Sequence, residues 1–132
     1  MSDTQVVRAK DVMQKGLKYI DGMDTAKKAA ETMRNEHVTA LVVNKRNPDD
    51  VWGIIAIQDL IKGVIVPGRP SEEVNVYEIM TKPIITVPAD MDIKYVARLI
   101  YRAGIRRAPV EENGELIGMV SLASLVLNNE LF

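Results

Sequence analysis

The chain has 132 residues, enough for one compact domain with its own core, and its 47% hydrophobic and 27% charged content is ordinary for a globular protein. The net charge of −1 gives no reason to expect a nucleic-acid partner, which calls for a net basic face. The absence of cysteine excludes a disulfide, a zinc–thiolate site and a cysteine nucleophile.

The opening stretch MSDTQVVRAKDVM has no apolar h-region, so no secretory signal is expected. The longest apolar run, near Val64, is far too short for a membrane span. A cytoplasmic location without a membrane partner is the expectation. The first predicted element is a short apolar strand at 18–20. A helix follows, with Thr25 as N-cap and Ala26, Ala29, Ala30 and Met33 forming one apolar stripe. Strands at 39–44 and 51–56 make a hairpin around Asn47-Pro48-Asp49-Asp50, and a helix at 57–64 closes the series. The segment Pro67-Gly68-Arg69-Pro70-Ser71 breaks structure. The series then begins again with a strand at 85–87. The next helix carries Ile93, Val96, Ala97 and Ile100 behind an Asp92 cap. Strands at 107–111 and 116–121 meet at Asn113-Gly114, a strong two-residue hairpin turn, and a helix at 122–127 follows.

The second series is the first displaced by 67 residues. Asp11-Val12-Met13 falls on Glu78-Ile79-Met80, Leu17-Lys18-Tyr19-Ile20 on Ile84-Ile85-Thr86-Val87, and Val43 on Val110. Beyond the hairpin loop the displacement is 65, so Gly53 matches Gly118 and Leu60 matches Leu125. The change lies in a loop, where length is tolerated. Each copy reads β-α-β-β-α. The division expected is 1–66 for the first repeat with its lead-in, 67–73 for the linker and 74–132 for the second repeat. One copy alone would bury little surface. The expected fold is therefore α+β, with two repeats packed sheet to sheet about a pseudo-two-fold axis as one folding unit.

In this order, a Val-Met element leads into an apolar strand and an amphipathic helix, and an apolar-Pro-Val strand (Ala108-Pro109-Val110) comes next. A Gly-apolar-apolar-Ser/Thr-x-x-Asp stretch closes the unit. The whole resembles the CBS domain, here as a tandem pair or Bateman module, over roughly residues 8–128. The resemblance implies a regulatory module. Many such pairs bind AMP, ADP, ATP or S-adenosylmethionine in clefts between the repeats, and many form dimeric discs.

The closing stretch ends a strand and opens a helix. Its hydroxyl caps the helix, the free N–H groups there suit an anion, and its Asp can accept from both ribose hydroxyls. In Gly53-Ile54-Ile55-Ala56-Ile57-Gln58-Asp59 the Asp is present and Ala56 replaces the hydroxyl; in Gly118-Met119-Val120-Ser121-Leu122-Ala123-Ser124 the hydroxyl is present and Ser124 replaces the Asp. The favoured site implied combines Asp59 with Ile84, Ile85, Ile105 and Arg106; a weaker one combines Ser121 and Ser124 with Lys18, Val38 and Thr39.

Structural roles compete with each of these assignments. Asp59 also suits the first turn of a helix, Ser121 suits an N-cap, and at most one of Arg106 and Arg107 can face a given cleft. His37, aligned with Gly104, has no second histidine to share a metal with. Trp52 reads as packing or dimer surface, and Asp49-Asp50 and Glu111-Glu112 as solvated loop residues. No Ser-His-Asp set, Walker A loop or positioned carboxylate pair is present, so no enzyme activity, required cofactor or metal is expected. Three functions stay open: a nucleotide-sensing module, a pair without ligand that serves dimerisation or contact with another protein, and, with no positive feature behind it, an enzyme with an unfamiliar site. A homodimer is expected from apolar residues in the closing segments: Leu60, Ile61, Val64, Ile65, Leu125, Val126 and Leu127.

Overall fold

The computed structural model describes residues 6–131. In chain order the elements are α1 (Ala9–Val12), β1 (Tyr19–Ile20), α2 (Ala26–Glu36), β2 (Ala40–Val43), β3 (Gly53–Ala56) and α3 (Ile57–Leu60). A wider π-turn (Ile61–Ile65) extends α3, and a 3-10 turn (Ser71–Glu73) leads to α4 (Val76–Ile79). The second series is β4 (Val87–Pro88), α5 (Ile93–Ala103), β5 (Arg107–Glu112), β6 (Glu115–Ser121) and α6 (Leu122–Leu127).

These elements form two α+β units, each with one three-stranded sheet: β1-β2-β3 in the first, β4-β5-β6 in the second. In both, the first strand runs parallel to the second and the second antiparallel to the third. The crossover from first to second strand is the long helix, whose buried stripe covers one face of the sheet. Ala26, Ala29 and Met33 point inward from α2, and Val96 and Ile100 from α5. Of the striped positions, Ala97 is exposed and Ala30 and Ile93 are half-buried, so each stripe is narrower than the sequence suggested.

The expected caps are present. Thr25 Oγ1 accepts the Lys28 N–H at 3.1 Å, and Asp92 Oδ1 accepts the Lys94 N–H at 2.8 Å. His37 and Gly104 both end their helices in the left-handed region, with φ of 57° and 68°, which explains their alignment. Asn113 and Gly114 have φ of 54° and 82°, as a tight hairpin turn of this length demands.

The units are not the sequence repeats. One is continuous, Lys18–Ile84; the other joins residues up to Leu17 with those from Ile85 onward. The short helices α1 and α4, absent from the sequence prediction, account for this. Ala9 and Val12 of α1 lie in the core of the second sheet with Val87, Val96, Ile100, Val110 and Val120. Val76 of α4 lies in the core of the first sheet with Ile20, Ala29, Met33, Leu41, Val43 and Ile55. Each fully buried Val or Ile contributes roughly 1.5–3 kcal/mol, so each lead-in helix is a material part of the core it enters.

Behind each helix the chain bridges to the edge of the third strand. Thr81 and Ile54 exchange N–H···O bonds of 2.9 Å in both directions. Gln14 and Met119 do the same at 2.8 and 3.0 Å. This close approach requires Gly118 and is tight at Gly53: a Cβ at Gly118 would collide with Met13 Sδ and the Gln14 carbonyl, and one at Gly53 would stand 3.1 Å from Met80 Sδ.

The segments expected to be left over divide unevenly. Val64 and Leu125 belong to the core and Leu60 is half-buried, whereas Ile61, Ile65, Val126 and Leu127 are exposed. The strand predicted at 85–87 is confined to Val87–Pro88, and the one at 18–20 to Tyr19–Ile20.

Gly118→Ala should destabilise the protein by about 1–3 kcal/mol, the usual cost of overpacking. Gly53→Ala should cost less, because Met80 can swing aside. Urea unfolding followed by circular dichroism will rank the two, and a Gly118→Ala protein as stable as the parent would refute the bridge as a constraint.

Candidate functional site

The two strand-to-helix turns carry the same geometry with different chemistry. At the start of α3, Asp59 Oδ2 accepts the Ala56 N–H at 2.8 Å. At the start of α6, Ser124 Oγ accepts the Ser121 N–H at 2.8 Å and donates to the Ser121 carbonyl at 3.1 Å, while Ser121 Oγ accepts the Ser124 N–H at 3.1 Å. The latter is a reciprocal capping box. Ser124 is 2% exposed and fully engaged in it. Asp59 and Ser124 thus hold the same capping position, and Asp59 is half-buried. Ala56 offers no side-chain acceptor for the first turn of α3, so that turn lacks the second half of the box.

Within the continuous unit, Lys18, Val38 and Thr39 stand at the same end of the sheet as Asp59. β1 and β2 begin there while β3 ends there: Ala40 pairs with Ala56, and the Ile57 N–H donates to the Thr39 carbonyl at 3.1 Å. Lys18 and Thr39 are exposed and Val38 half-buried, and Lys18 Nζ lies 3.3 Å from Glu36 Oε1. Ile84 is the last residue of this unit and is half-buried. In the other unit, Ile105 and Arg106 stand beside Ser121 and Ser124, with Arg107 paired to Ser121 and the Leu122 N–H donating to the Arg106 carbonyl at 3.1 Å. Arg106 is exposed and Arg107 half-buried, as alternation on a strand requires. Ile85 is exposed, two residues before β4.

The continuous unit has a concave feature at the opposite end of its sheet. A groove of about 750 Å³ is lined by Asp21, Gly22, Met23, Val43, Asn44, Lys45, Arg46, Tyr77, Met80 and Lys82. Asp50 organises its rim. Its side chain is only 6% exposed and accepts from the Arg46 N–H at 2.9 Å, Arg46 Nε at 3.1 Å and Lys82 Nζ at 2.8 Å. The expectation of a solvated Asp50 is therefore corrected: two cations and a backbone amide hold it inside the loop. Lys45 Nζ lies 5.2 Å from the centre of the Trp52 ring, and the Tyr19 ring lies 5.7 Å away, so Trp52 packs within its own unit. Sequence reasoning missed this groove because its members come from the ends of β1 and β2 and from α4, far apart in the chain. The available signal was the loss of repeat symmetry at these positions, where Met23, Lys45 and Tyr77 align with Asp90, Glu112 and Lys10.

The CBS domain model matches this chain twice, at residues 9–65 and 76–128. The chain belongs to the CBS domain family. A hexameric CBS-CP12 protein from bloom-forming cyanobacteria superposes with a TM-score of 0.92 at 30% identity, over 97% of this chain and 71% of that one. An uncharacterized protein of Methanopyrus kandleri is 38% identical over 104 residues, 78% of this chain and 53% of the relative. The mitochondrial CBS domain-containing protein CBSX3 of Arabidopsis thaliana is 34% identical over 126 residues, 88% of this chain and 61% of the relative. The chain thus spans little more than half the length of these two relatives.

CBS pairs are generally regulatory rather than catalytic. Among the described residues there is no group of three His, Asp or Glu able to hold a metal, and no helix long and apolar enough to cross a membrane.

The Arg46 and Lys82 side chains hold the Asp50 carboxyl well below the usual carboxylate range. Glu78, through the Asn75 N–H and Arg69, and Asp90, through Lys10, are lowered too. A depressed folded-state pKa stabilises above the unfolded value and loses that stabilisation as pH falls. Stability should therefore hold at neutral pH and decline from about pH 5 toward about pH 2. Asp50→Asn should lower neutral-pH stability and flatten this decline. Thermal unfolding across that range tests it; parallel acid limbs for parent and variant would remove Asp50 from the account.

Proposed function

We propose that this CBS pair is a regulatory module that senses an adenine nucleotide or a related adenosyl ligand, with the Asp59 carboxylate accepting from the ribose hydroxyls. The observation that carries the reading is the contrast at one capping position: a half-buried carboxylate at Asp59, and a fully engaged, buried hydroxyl at Ser124. A ribose diol calls for a strong acceptor, and a charged acceptor makes the stronger hydrogen bond. Ile84, Ile85, Ile105 and Arg106 belong to the same proposal, as base slot and phosphate cation, and Lys18, Val38, Thr39, Ser121 and Ser124 belong to a weaker second site. A cytoplasmic location is also part of it.

Losing one charged hydrogen-bond partner costs about 1.5–3 kcal/mol, a ten- to hundredfold loss of affinity. Asp59→Ala would also remove a helix cap worth about 1 kcal/mol. Asp59→Ser avoids this, since Ser124 shows that a serine at this position keeps the cap. Calorimetric titration with AMP, ADP, ATP and S-adenosylmethionine should show binding by the parent and a loss of that size for Asp59→Ser. Arg106→Ala should weaken the nucleotides, and Ala56→Thr should strengthen them by completing the capping box. Equal affinity in parent and Asp59→Ser would defeat the assignment.

The second reading, a pair that associates without ligand, is favoured by the exposed Ile61, Ile65, Val66, Val126 and Leu127 and by the similarity to the cyanobacterial CBS-CP12 protein, which is hexameric. We propose a homodimer in either case. Light scattering at micromolar concentration should give twice the chain mass, and Ile65→Glu or Leu127→Glu should lower it; a monomer in the parent would count against self-association.

A further inference from the structure

The groove at the far end of the first sheet has no part in the proposed nucleotide chemistry. Asp59 marks the end where β2 begins; Asp21, Asn44 and Lys45 mark the end where β1 and β2 finish. The four residues of β2 separate the two by about 13 Å. The volume of about 750 Å³ lies in the range of small-molecule sites. Its apolar surface comes from Met23 and Tyr77, both more than half exposed, over a floor of Val43 and Met80. Gly22 keeps that floor open beside the aromatic ring: a Cβ there would stand 3.4 Å from Tyr77 Cβ and 3.7 Å from Val43 Cγ1.

The other unit provides an internal control. The same fold, at the same positions, replaces Met23 and Tyr77 by Asp90 and Lys10, which form an ion pair of 2.9 Å. It replaces Gly22 by Ala89 and Lys45 by Glu112. The architecture therefore does not need an exposed methionine and tyrosine here, nor a cation at the Lys45 position, since an ion pair and an acidic residue fill these places in the second copy. Exposed Met and Tyr cost solvation that an ion pair does not. What they provide is a flat apolar surface beside fixed positive charge. Arg46 and Lys82 are held by Asp50, so their heads are placed before any ligand arrives. Lys45 lies over Trp52 and can turn to the groove. Three cations against Asp21 and Asp50 leave the rim with a net charge of +1 (three minus two).

We propose that this groove binds a small aromatic anion, an aryl or heteroaryl phosphate or carboxylate, with the ring against Tyr77 and Met23 and the anion at Lys45 and Arg46. The ring uses the apolar surface and the anion uses Arg46, held in place by Asp50, together with Lys45; neither alone fills the site. This inference stands apart from the nucleotide reading.

The probe is phenyl phosphate, added to the full chain labelled with nitrogen-15 and followed by amide chemical shifts. Saturable shifts at Gly22, Asn44, Lys45 and Tyr77 are expected, with inorganic phosphate and phenol each giving at least tenfold weaker binding. Tyr77→Ala should weaken phenyl phosphate roughly two- to tenfold and Lys45→Ala about tenfold or more. Lys45→Glu, the residue of the second copy, should abolish binding, and Asp59→Ser should leave it unchanged. These side chains lie at the surface, so unfolding midpoints should match the parent. Three results would overturn the proposal: no saturable shift at these amides up to about 10 mM, unaltered binding in Lys45→Glu, or shifts clustered at Thr39 and Asp59 that vanish in Asp59→Ser. In the last case the probe would be reporting the nucleotide site, and that reading would survive while this one fails.

Discussion

The constraint on which each unit rests is the closure of its third strand by a segment from the other sequence repeat. A three-stranded sheet with one crossover helix leaves part of its core face and one strand edge uncovered. In the first unit α4 fills the gap and Thr81 pairs with Ile54; in the second α1 fills it and Gln14 pairs with Met119. The second closure needs Gly118, because the Gln14 carbonyl passes where a Cβ would stand, and the first is tight at Gly53, where a Cβ would stand 3.3 Å from the Thr81 carbonyl. An unpaired strand edge and an open core face are both costly. The lead-in segments are thus structural members of the units they enter, and the glycine that begins the motif is explained by backbone approach without any ligand.

The same economy appears at the strand-to-helix turns. A short helix must satisfy its first N–H groups, and the side chain three residues after the cap does so by reaching back. Asp59 and Ser124 share this structural role, as do Asp11 at the start of α1 and Glu78 at the start of α4. A carboxylate in this position is therefore no sign of ligand binding by itself. What separates Asp59 from Asp11 and Glu78 is its place, just after the end of a strand, at the end of the sheet where β1 and β2 begin. The functional reading rests on the carboxylate that Asp59 carries at the capping position where the second copy has the buried Ser124 hydroxyl.

Much of this was legible in the sequence. Helix stripes, the Thr25 and Asp92 caps and the Asn113-Gly114 turn are local, period-driven signals, and the structure realises them with shifts of one or two residues. The lead-in helices escaped because each is only four residues long, too short for a periodicity of 3.6 to register. The regrouping of the halves escaped for a different reason: it depends on which core receives Val12 and Val76, and any buried surface of similar shape would satisfy those side chains equally in the sequence pattern. Asp50 was misread because loop carboxylates are ordinarily solvated, and its partner Lys82 lies in another repeat.

That loop also shows how two copies of one fold come to differ. The displacement between repeats falls from 67 to 65 across the first hairpin, so the first copy carries two more residues there. They are not idle length. The longer loop brings Asp50 back toward Arg46 and Lys82, and these two cations, held by it, line a groove whose loop the tight Asn113-Gly114 turn has no chain to build. The core positions of the two sheets stay apolar in both copies, since any polar group placed there would need a buried partner. The strand ends carry no such penalty, and there the residues diverge in charge and size: Lys45 against Glu112, Tyr77 against Lys10, Met23 against Asp90. Repetition fixes the sheet and its closure, and the departures from repetition at the strand ends are where each half acquires chemistry of its own.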